Sequence, residues 1–353
     1  MQESLELFKE QILDVTSKKT NLRIRGSGTK DWYGQDFVGE ILDTSKYSGI
    51  LSYDPSELVL TAKCGTTLRE IGKSLSSKNQ MLAFEPPRFD GLATLGGIVA
   101  SGLSGPRRFK VGAVRDFILG LVLMNGKGEI LNFGGQVMKN VAGYDVSRLI
   151  TGSLGTLGLI LEVSIKVLPK PLKQSSLEFD LTEEEAIKKL NIWASKPLPI
   201  SASCWTNGHL IIRLSGAESA VNSAREKLGG EELRDCDKFW NTVREQTHSY
   251  FKSINEGLWK ISIPASSPPL RISGEQLIEW GGALRWLKTS EEAKKIRVLA
   301  ESLKGSATLF RGGDKSVGVF HPLDTKVKKI HKNLKNVFDP SRIFNIGRMY
   351  KDL

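Results

Sequence analysis

Apolar and polar positions along the chain alternate with the periods of helices and strands. Over residues 5–15, for example, apolar side chains recur every three or four positions, which predicts an amphipathic helix. The same pattern predicts further helices at 66–74, 183–193, 218–228 and 326–337. Alternating or continuous apolar runs predict strands at 22–25, 58–62, 81–84, 117–124, 129–133, 159–167, 209–214 and 308–310.

Two of these predictions carry a specific expectation. The segment from Gly65 to Ser74 resembles a nucleotide-binding P-loop, but six residues rather than four separate its two glycines, and the pattern between them is helical. We therefore predict a helix capped by Thr66 or Thr67. In the helix at 326–337 we expect the apolar residues to face inward and the lysines outward. The inward set is Val327, Ile330, Leu334 and Val337.

The stretch from Gly91 to Arg108 is dense in glycine and ends in two arginines. Glycine keeps no side chain between the backbone and a ligand, so such a run can turn several N–H groups towards an anion. Arg107 and Arg108 could add guanidinium donors suited to phosphate. A surface loop is the alternative, but apolar residues threaded between the glycines favour close packing. We interpret the stretch as a buried cofactor cradle.

Two other glycine-rich segments have a related pattern. The strand at 22–25 runs into Gly26-Ser27-Gly28-Thr29, although Asp31 stands where a dinucleotide-binding motif has its third glycine. We therefore interpret this segment as a short phosphate-binding turn and not as a complete dinucleotide-binding motif. A second block, residues 139–158, leads into the strand at 159–167. The order of strands, helices and glycine-rich loops predicts an α+β domain that holds an extended cofactor.

Composition narrows the class of protein. The 353 residues suffice for two domains, and 40% hydrophobic and 25% charged residues are ordinary for a globular protein. No apolar run approaches the ~18 residues of a membrane span, and the acidic N-terminus does not resemble a secretory signal. The formal charge of +11 is spread over scattered lysine and arginine pairs without a nucleic-acid motif, so an acidic partner subunit, an anionic cofactor or a membrane surface would each fit, as would a solvated basic face.

Three widely spaced cysteines, Cys64, Cys204 and Cys236, lack a Cys-x-x-Cys pair. This pattern predicts reduced thiols in the cytoplasm and no iron–sulfur or zinc site in this chain. No cluster of histidines or carboxylates suggests a metal, so we expect none.

Taken together, four motifs resemble those of the FAD-linked oxidases of the vanillyl-alcohol oxidase, or PCMH, type. They occur in that family's order: Arg25-Gly-Ser-Gly-Thr29, Thr94-Leu-Gly-Gly97, Gly152-Ser-Leu-Gly-Thr-Leu-Gly158, and Phe338-Asp-Pro340 with Phe344-Asn-Ile-Gly-Arg348. The resemblance implies an α+β fold with a PCMH-type, two-subdomain FAD-binding domain at 1–171. It also implies a small inserted α+β cap domain on the substrate side at 172–305, and a C-terminal return segment at 306–353 that packs on the FAD domain.

The resemblance also implies which residues contact FAD. Arg25, Gly26, Ser27, Gly28 and Thr29 would hold the diphosphate. The diphosphate and ribityl path would be lined by Thr94, Leu95, Gly96, Gly97, Ala100, Ser101 and Gly102. The adenosine half would be enclosed by Gly152, Ser153, Gly155, Thr156, Gly158 and Ile160, while Asn345, Gly347 and Arg348 would return near the flavin ring.

Many members of the family bind FAD covalently through a histidine of the N-terminal domain. Here the four histidines, His209, His248, His321 and His331, all follow residue 171. We therefore expect FAD to be noncovalent.

Oxidation of a 2-hydroxy acid needs a base for the hydroxyl proton and a cation for the carboxylate. Candidates for these catalytic roles are Tyr144, Arg311, His321 and Arg348, with Arg285 and Arg148 as further cations, and each has an ordinary structural role as its alternative.

Within the family the chain is most similar to flavin-binding subunits of bacterial glycolate-oxidising complexes, in its block Lys139–Asp145 and its segment Gly274–Trp286. The resemblance implies oxidation of glycolate, or a similar 2-hydroxy acid, with electrons passed to partners. Those partners would be a larger FAD-linked glycolate oxidase subunit and an iron–sulfur subunit. A cytoplasmic location is expected, with peripheral association at the inner membrane face as an alternative. A non-catalytic flavin-binding scaffold and a stand-alone FAD-dependent alcohol or D-lactate-type oxidoreductase remain open.

Overall fold

The computed structural model describes residues 2–135, 145–252 and 256–353. The helices are α1 (Gln2–Lys18), α2 (Leu68–Ser76), α3 (Leu95–Ser101), α4 (Arg108–Val111), α5 (Val146–Ile150), α6 (Glu183–Ala194), α7 (Glu218–Leu228), α8 (Cys236–Arg244), α9 (Ala293–Ser302) and α10 (Thr325–Phe338). The strands are β1 (Leu22–Arg25), β2 (Glu40–Asp43), β3 (Ile50–Asp54), β4 (Val59–Lys63), β5 (Gln80–Met81), β6 (Ile118–Met124), β7 (Ile130–Gly134), β8 (Leu159–Lys166), β9 (Leu168–Pro169), β10 (Lys173–Asp180), β11 (Ile200–Thr206), β12 (His209–Gly216), β13 (Glu231–Glu232), β14 (Gly257–Ser262), β15 (Glu275–Glu279), β16 (Leu284–Thr289) and β17 (Ser306–Arg311). Short 3-10 turns span Val114–Phe117, Ser249–Phe251, Trp280–Gly282 and Lys315–Val317.

The chain divides into two compact units. The first comprises Met1–Leu103, Ala113–Pro169 and Pro322–Leu353, and the second comprises Ser104–Gly112 and Lys170–His321. This division differs from the boundary expected between residues 305 and 306. Strand β17 pairs with β14 and so completes the sheet of the second unit, which carries the chain to His321 before it returns to the first.

The first unit is built on a five-stranded antiparallel sheet of order β3-β4-β8-β6-β7. Strand β8 lies at its centre, and its residues 159, 161, 163 and 165 are all buried. A separate parallel pair, β1-β2, carries the turn that begins at Gly26. Helices α1, α2 and α3 each contribute an apolar stripe to the core, such as Phe8, Ile12 and Val15 of α1. Burial of such side chains contributes about 1.5–3 kcal/mol each.

Most of the expected elements of this unit are present. Helix α1 covers the predicted 5–15, and β6 and β7, which correspond to the strands predicted at 117–124 and 129–133, pair antiparallel as a hairpin. The P-loop-like segment is a helix, α2, and Thr67 is its N-cap because its hydroxyl accepts from the N–H of Glu70 at 3.2 Å. The strand expected at 81–84 is wrong beyond Met81, since the chain turns there and the N–H of Glu85 donates to the carbonyl of Leu82.

Helix α10 buries a different face from the one its apolar residues predicted. Ile330 and Val337 are 56% and 68% exposed, whereas Lys335 is only 2% exposed. The ammonium of Lys335 lies 2.7 Å from Asp339 Oδ2, and it also donates to the carbonyls of Thr156 and Phe344. Because the fold supplies these partners, a lysine occupies the inner face and two apolar residues face water.

The second unit is an eight-stranded antiparallel sheet of order β13-β10-β12-β11-β15-β16-β14-β17. Helices α6 and α7 pack on one end of it around residues such as Leu190 and Ile212, and α9 packs near the other around Trp259 and Leu287. The two units together confirm the predicted α+β class. All three cysteines are unpaired. In the described part of the chain, no helix combines the length and the apolar character needed to cross a membrane.

Candidate functional site

A cleft in the first unit brings together glycine-rich segments from distant parts of the sequence. Its lining consists of residues 24–31, Thr44, Cys64, Thr94, Gly96, Gly97, Ala100, Ser101, Leu154, Gly155, residues 158–160, Asn345 and Arg348.

The two long glycine runs contact each other at this cleft. The N–H of Gly152 donates to the carbonyl of Val99 at 2.9 Å, and the N–H of Leu154 donates to the carbonyl of Ala100 at 2.8 Å. Gly102 has a φ of +66°, and a Cβ on it would lie 3.2 Å from the Cα of Gly152. Glycine at position 102 therefore permits the close approach that closes this side of the cleft.

The N–H groups of the first glycine run are not available to an anion. Leu95 and Gly96 donate to the carbonyls of Thr66 and Cys64, at 2.9 and 2.8 Å. Gly97 donates to the hydroxyl of Thr94 at the start of α3. The expectation that this run supplies converging donors is therefore wrong. Gly96 and Gly97 instead line the cleft, and a Cβ at Gly96 would come 2.7 Å from the Cβ of Cys64.

The free donors lie instead in the turn after β1. Among the described residues, the N–H groups of Ser27, Gly28 and Thr29 have no acceptor within hydrogen-bond distance. Gly28 adopts a φ of +74°, a conformation that glycine reaches without steric cost. Successive N–H groups on such a turn form a concave site for an anion. The turn thus has the free donors that the predicted phosphate-binding turn requires.

Two buried cations, Lys30 and Arg348, also line the cleft. Lys30 is 7% exposed and Arg348 is 9% exposed. Within the described chain, neither side chain has a carboxylate oxygen within 4.0 Å. Lys30 donates to the Thr29 hydroxyl at 3.0 Å, and Arg348 donates to the carbonyl of Lys30 at 3.1 Å. Burial, with a smaller effect of Arg348, lowers the pKa of Lys30 to about 8. An anion in the cleft would stabilise both charges.

Arg25, in contrast, is already engaged in an ion pair. Its Nε lies 2.7 Å from Asp31 Oδ2, and Arg23 reaches the same carboxylate oxygen at 2.9 Å. Asp31 therefore neutralises part of the basic charge at the mouth of the turn. It stands where a dinucleotide motif would place a glycine, so this departure from the motif has a structural role.

Asn345 joins three segments of the cleft. Its Oδ1 accepts from the N–H of Ile24 at 2.9 Å, and its Nδ2 donates to the carbonyl of Leu154 at 2.6 Å. The residue is 1% exposed and has a φ of +44°, which asparagine tolerates better than most side chains. It thus holds the C-terminal segment, strand β1 and the second glycine run in one arrangement.

The structure brings most of the expected cofactor residues to this cleft. Six of them do not line it: Leu95, which is in the core, Gly102, Gly347, and three residues that line a second cavity, Gly152, Ser153 and Thr156. Lining residues that the sequence reasoning did not name as cofactor contacts include Lys30, Thr44, Cys64 and Leu154. Lys30 directly follows the Gly-x-Gly-Thr turn, so its position in the sequence could have identified it as a candidate cofactor contact. No local pattern marks Thr44 or Cys64.

The residues considered for catalysis are mostly engaged elsewhere. In the second unit, Arg311 donates to the side chain of Gln246 at 2.8 Å, and His321 accepts from the N–H of Ala307 and pairs with Glu301. Arg285, fully buried, donates to the carbonyls of Gly282 and Ser267. Arg348 alone of these lines the cleft.

The other candidates are placed as follows. Tyr144 and residues 139–143 of its motif lie outside the described residues. Arg148 is exposed and pairs with Asp145 at 2.9 Å. Arg107 and Arg108, expected as phosphate donors, are not among the residues that line the cleft, and Arg107 donates to Ser215 and Gln174.

Comparisons with known proteins agree with the fold and the cleft. Residues 6–134 match the family model described as an FAD binding domain. The chain is 47% identical to glycolate oxidase subunit GlcE of Escherichia coli (strain K12) over 344 residues, 98% of this chain and 97% of that protein. It is 34% identical to glycolate oxidase subunit GlcD of Bacillus subtilis (strain 168) over 155 residues, 43% of this chain and 33% of that protein. A crystal structure of p-cresol methylhydroxylase with substrate bound superposes with a TM-score of 0.70 at 15% identity, covering 99% of this chain and 87% of that one, which is a likeness of fold.

Fold and cleft together define an FAD-linked oxidoreductase of the PCMH type. Within that class, the chain belongs to the family of glycolate oxidase subunit GlcE. The cleft fits FAD on its own chemistry, since free N–H groups at 27–29 and the unpaired charge of Lys30 match a diphosphate, and glycines line its walls.

Proposed function

We propose that this chain is the FAD-binding subunit of a complex that oxidises glycolate, or a closely similar 2-hydroxy acid, to the 2-oxo acid. Glycolate loses two electrons and two protons to become glyoxylate, and the electrons pass to partner subunits. The observation that carries the proposal is the similarity to GlcE along nearly the whole of both chains, in a molecule whose cleft retains donors for a diphosphate.

The residues of the chain have distinct parts in this function. FAD, when bound, supplies the two-electron acceptor. Ser27, Gly28 and Thr29 bind its diphosphate through N–H groups, with Lys30 as the counter-charge. Asn345 holds strand β1 and the second glycine run together through its side-chain hydrogen bonds. In this proposal the first unit is the FAD domain, and the second unit is the substrate-side domain.

We further propose that the partners are a larger FAD-linked subunit and an iron–sulfur subunit. The relationship to GlcD is limited to 155 residues, as expected for two subunits that share a flavin domain and differ elsewhere. In this proposal the iron–sulfur partner carries the electrons onward.

One observation favours a second candidate, a flavin-binding subunit that does not itself turn over substrate. Among the described residues that line the cleft there is no histidine, and the carboxylate of Asp31 is occupied by two arginines. A base for the substrate hydroxyl would then belong to the partner.

Anaerobic addition of glycolate to the purified chain, alone and with its partners, distinguishes these possibilities. A yellow chain that is bleached by glycolate on its own carries the chemistry itself. A yellow chain that is bleached only with its partners supports the partner-dependent form of the proposal. A colourless chain that takes up no added FAD contradicts the function proposed here.

A further inference from the structure

Helix α10 carries a row of aliphatic side chains along its length, on the side that the core does not cover. Two of them, Ile330 and Val337, are 56% and 68% exposed, and the other two, Val327 and Leu334, are partly buried. We call these four residues the aliphatic stripe. Single exposed aliphatic side chains are common on protein surfaces, but a continuous row along one helix marks a contact surface.

The spacing of the aliphatic stripe is the one by which helices pack on other helices. Positions 327, 330, 334 and 337 are separated by three, four and three residues, as the a and d positions of a heptad are. A second helix that lies along such a row inserts its own apolar side chains between those of the first. The four positions extend over about 15 Å of helix, so nearly three turns are available to a partner.

The fold holds this face of the helix outward. On the opposite side of α10, Lys335 and Phe338 are buried, and the ammonium of Lys335 pairs with Asp339. Because this buried ion pair fixes the rotation of the helix about its axis, the aliphatic stripe cannot turn towards the core while the pair is intact. Contact with another molecule is therefore the way in which the stripe is removed from water.

An apolar cavity borders the aliphatic stripe. It is the second cavity, which is lined in part by the glycine run at 152–157, and Leu334 belongs to both the cavity and the stripe. Leu149, which also lines it, is 40% exposed, so part of the lining faces solvent. The remaining apolar lining comes from Leu157, Met349 and Leu353. Such a lining suits a bulky apolar side chain of a partner, the kind of anchor around which interfaces form.

The side chains that flank the aliphatic stripe are basic. Helix α10 has five lysines and no acidic residue. Two of the lysines, Lys328 and Lys332, share the carboxylate of Asp352. Lys326 and Lys329 are exposed, and among the described residues neither ammonium has a carboxylate oxygen within 4.0 Å. These two lie three positions apart and so share one face of the helix, where acidic side chains of a partner would complement them.

We propose that the aliphatic stripe, with Lys326 and Lys329 beside it, docks an amphipathic helix of a partner subunit whose apolar row is flanked by Asp or Glu. If the function proposed above holds, that subunit is one of the two partners proposed there. A membrane surface fits less well, because interfacial helices present a broad face with Trp, Phe or Leu, whereas this row is narrow and mostly β-branched. A second copy of the chain would bring its own lysines against these.

Assembly of the complex tests the aliphatic stripe. The probe is the larger FAD-linked subunit purified together with the iron–sulfur subunit, and calorimetry gives its dissociation constant from this chain. Ile330→Asp places a charge in the stripe, so the dissociation constant should rise at least about tenfold, and Val337→Asp, the second variant, should act in the same way. Val298→Asp is the matched control, because Val298 is a β-branched residue on another helix, α9, and is 54% exposed. It should bind as the wild type does.

Carbodiimide cross-linking of the assembled complex tests the charges, because this reagent joins a lysine to a carboxylate that touches it. We expect Lys326 or Lys329 to be linked to an Asp or Glu of the partner. Lys294, which is exposed on α9, should not be linked to the partner and serves as the control. A complex in which neither Lys326 nor Lys329 is linked would overturn the acidic character of the docked helix.

An unfolding temperature equal to that of the wild type shows that each variant has folded. Equal dissociation constants for the wild type, Ile330→Asp and Val337→Asp would overturn the docking surface, as would a chain that binds neither subunit. Binding to phosphatidylglycerol vesicles that Ile330→Asp abolishes would assign the stripe to a membrane and overturn the partner helix. A dimer of this chain that the same substitution dissociates would assign the stripe to a second copy, with the same consequence.

Failure of this proposal and failure of the function proposed above give different results. A complex that assembles through Ile330 but is never bleached by glycolate would support the docking surface and contradict that function. A complex that glycolate bleaches, and whose assembly is unaffected by Ile330→Asp and Val337→Asp, would support the function and overturn the docking surface.

Discussion

Lys335 and Asp339 form a buried ion pair one turn apart at the end of α10, with Nζ 2.7 Å from Oδ2 and side chains that are 2% and 0% exposed. The carboxylate also accepts from the N–H groups of Ile343 and Phe344, directly before Asn345. The ammonium donates to the carbonyl of Thr156 in the second glycine run. This pair therefore supports two segments that border the FAD cleft, although neither residue lines it.

Removing one member of this pair should be severely destabilising. Lys335→Met leaves the buried carboxylate of Asp339 without its counter-ion, so we expect the free energy of unfolding to fall by about 3–5 kcal/mol. Urea denaturation of the FAD-free chain measures the change. Lys332→Met, which removes an exposed lysine 3.6 Å from Asp352, should alter stability by less than about 1 kcal/mol. A Lys335→Met variant as stable as the wild type would show that the pair is not needed.

Lys30 should contribute to FAD binding at the expense of the FAD-free fold. Lys30→Met removes a buried cation that has no carboxylate partner, so the FAD-free chain should be as stable as the wild type or more stable. Its FAD dissociation constant should rise by about 10- to 100-fold, because a charge-assisted contact to the diphosphate is lost. Lys30 packs on the Phe89 ring, and Lys63 packs on the Tyr47 ring outside the cleft, so Lys63→Met is the matched control. Flavin fluorescence titration and thermal unfolding provide the two measurements.

The affinity for FAD should also depend on pH through Lys30. The pKa of about 8 in the FAD-free chain should be raised by the bound diphosphate, so binding favours the protonated amine. Affinity is then greatest below about pH 8 and declines above it, by up to about tenfold per pH unit until the pKa of the complex is passed. Titrations across this range in wild type and Lys30→Met give the test. If the FAD affinity declined by the same amount in both proteins, the pH dependence would belong to a titratable group other than Lys30.

Two helical glycines should respond to alanine in opposite directions. At Gly96, in α3, a Cβ would lie 2.7 Å from the Cβ of Cys64, so Gly96→Ala should cost about 1–3 kcal/mol and disturb the cleft wall. At Gly72, in α2, the nearest atom is 3.8 Å away on the flexible side chain of Arg88, so Gly72→Ala should stabilise by about 0.5–1 kcal/mol. Urea denaturation of both variants compares them. If both substitutions changed the free energy of unfolding equally, helix propensity and not the contact with Cys64 would determine the effect at position 96.

The flavin should be released intact when the protein is denatured. None of the lining residues of the cleft is a histidine, and the one histidine of the first unit, His331, lines the second cavity instead. Acid precipitation of the yellow protein should leave all of the FAD in the supernatant. Flavin that stays with the pellet would contradict noncovalent binding.

Several features of this protein followed from local sequence patterns. Helix α1 and the hairpin β6-β7 were predictable because their apolar periods are strong and their turn residues are distinctive. The Gly-x-Gly turn after β1 was predictable because only a few residue types suit its backbone conformation. The glycine-rich runs likewise predicted segments that line a cofactor site, and in the structure they approach each other closely at Gly102 and Gly152.

Other features depended on contacts between residues far apart in the chain. The sequence could not show that the N–H groups of Leu95 and Gly96 donate to the carbonyls of Thr66 and Cys64. The donors that remain free are therefore those of residues 27–29. Nor could it show that β17 completes the sheet of the second unit.

The amino-acid sequence by itself determined the class of fold, the segments that would border a cofactor and the conformations its glycines allow, because these depend on periodicity and on backbone sterics. Tertiary structure alone decided which donors stay free, why Lys335 is buried while Ile330 and Val337 face water, and why Lys30 is buried without a carboxylate partner. The physical reason is that hydrogen bonding and charge pairing depend on which partners the fold brings together, and no local sequence pattern records which partner is already engaged.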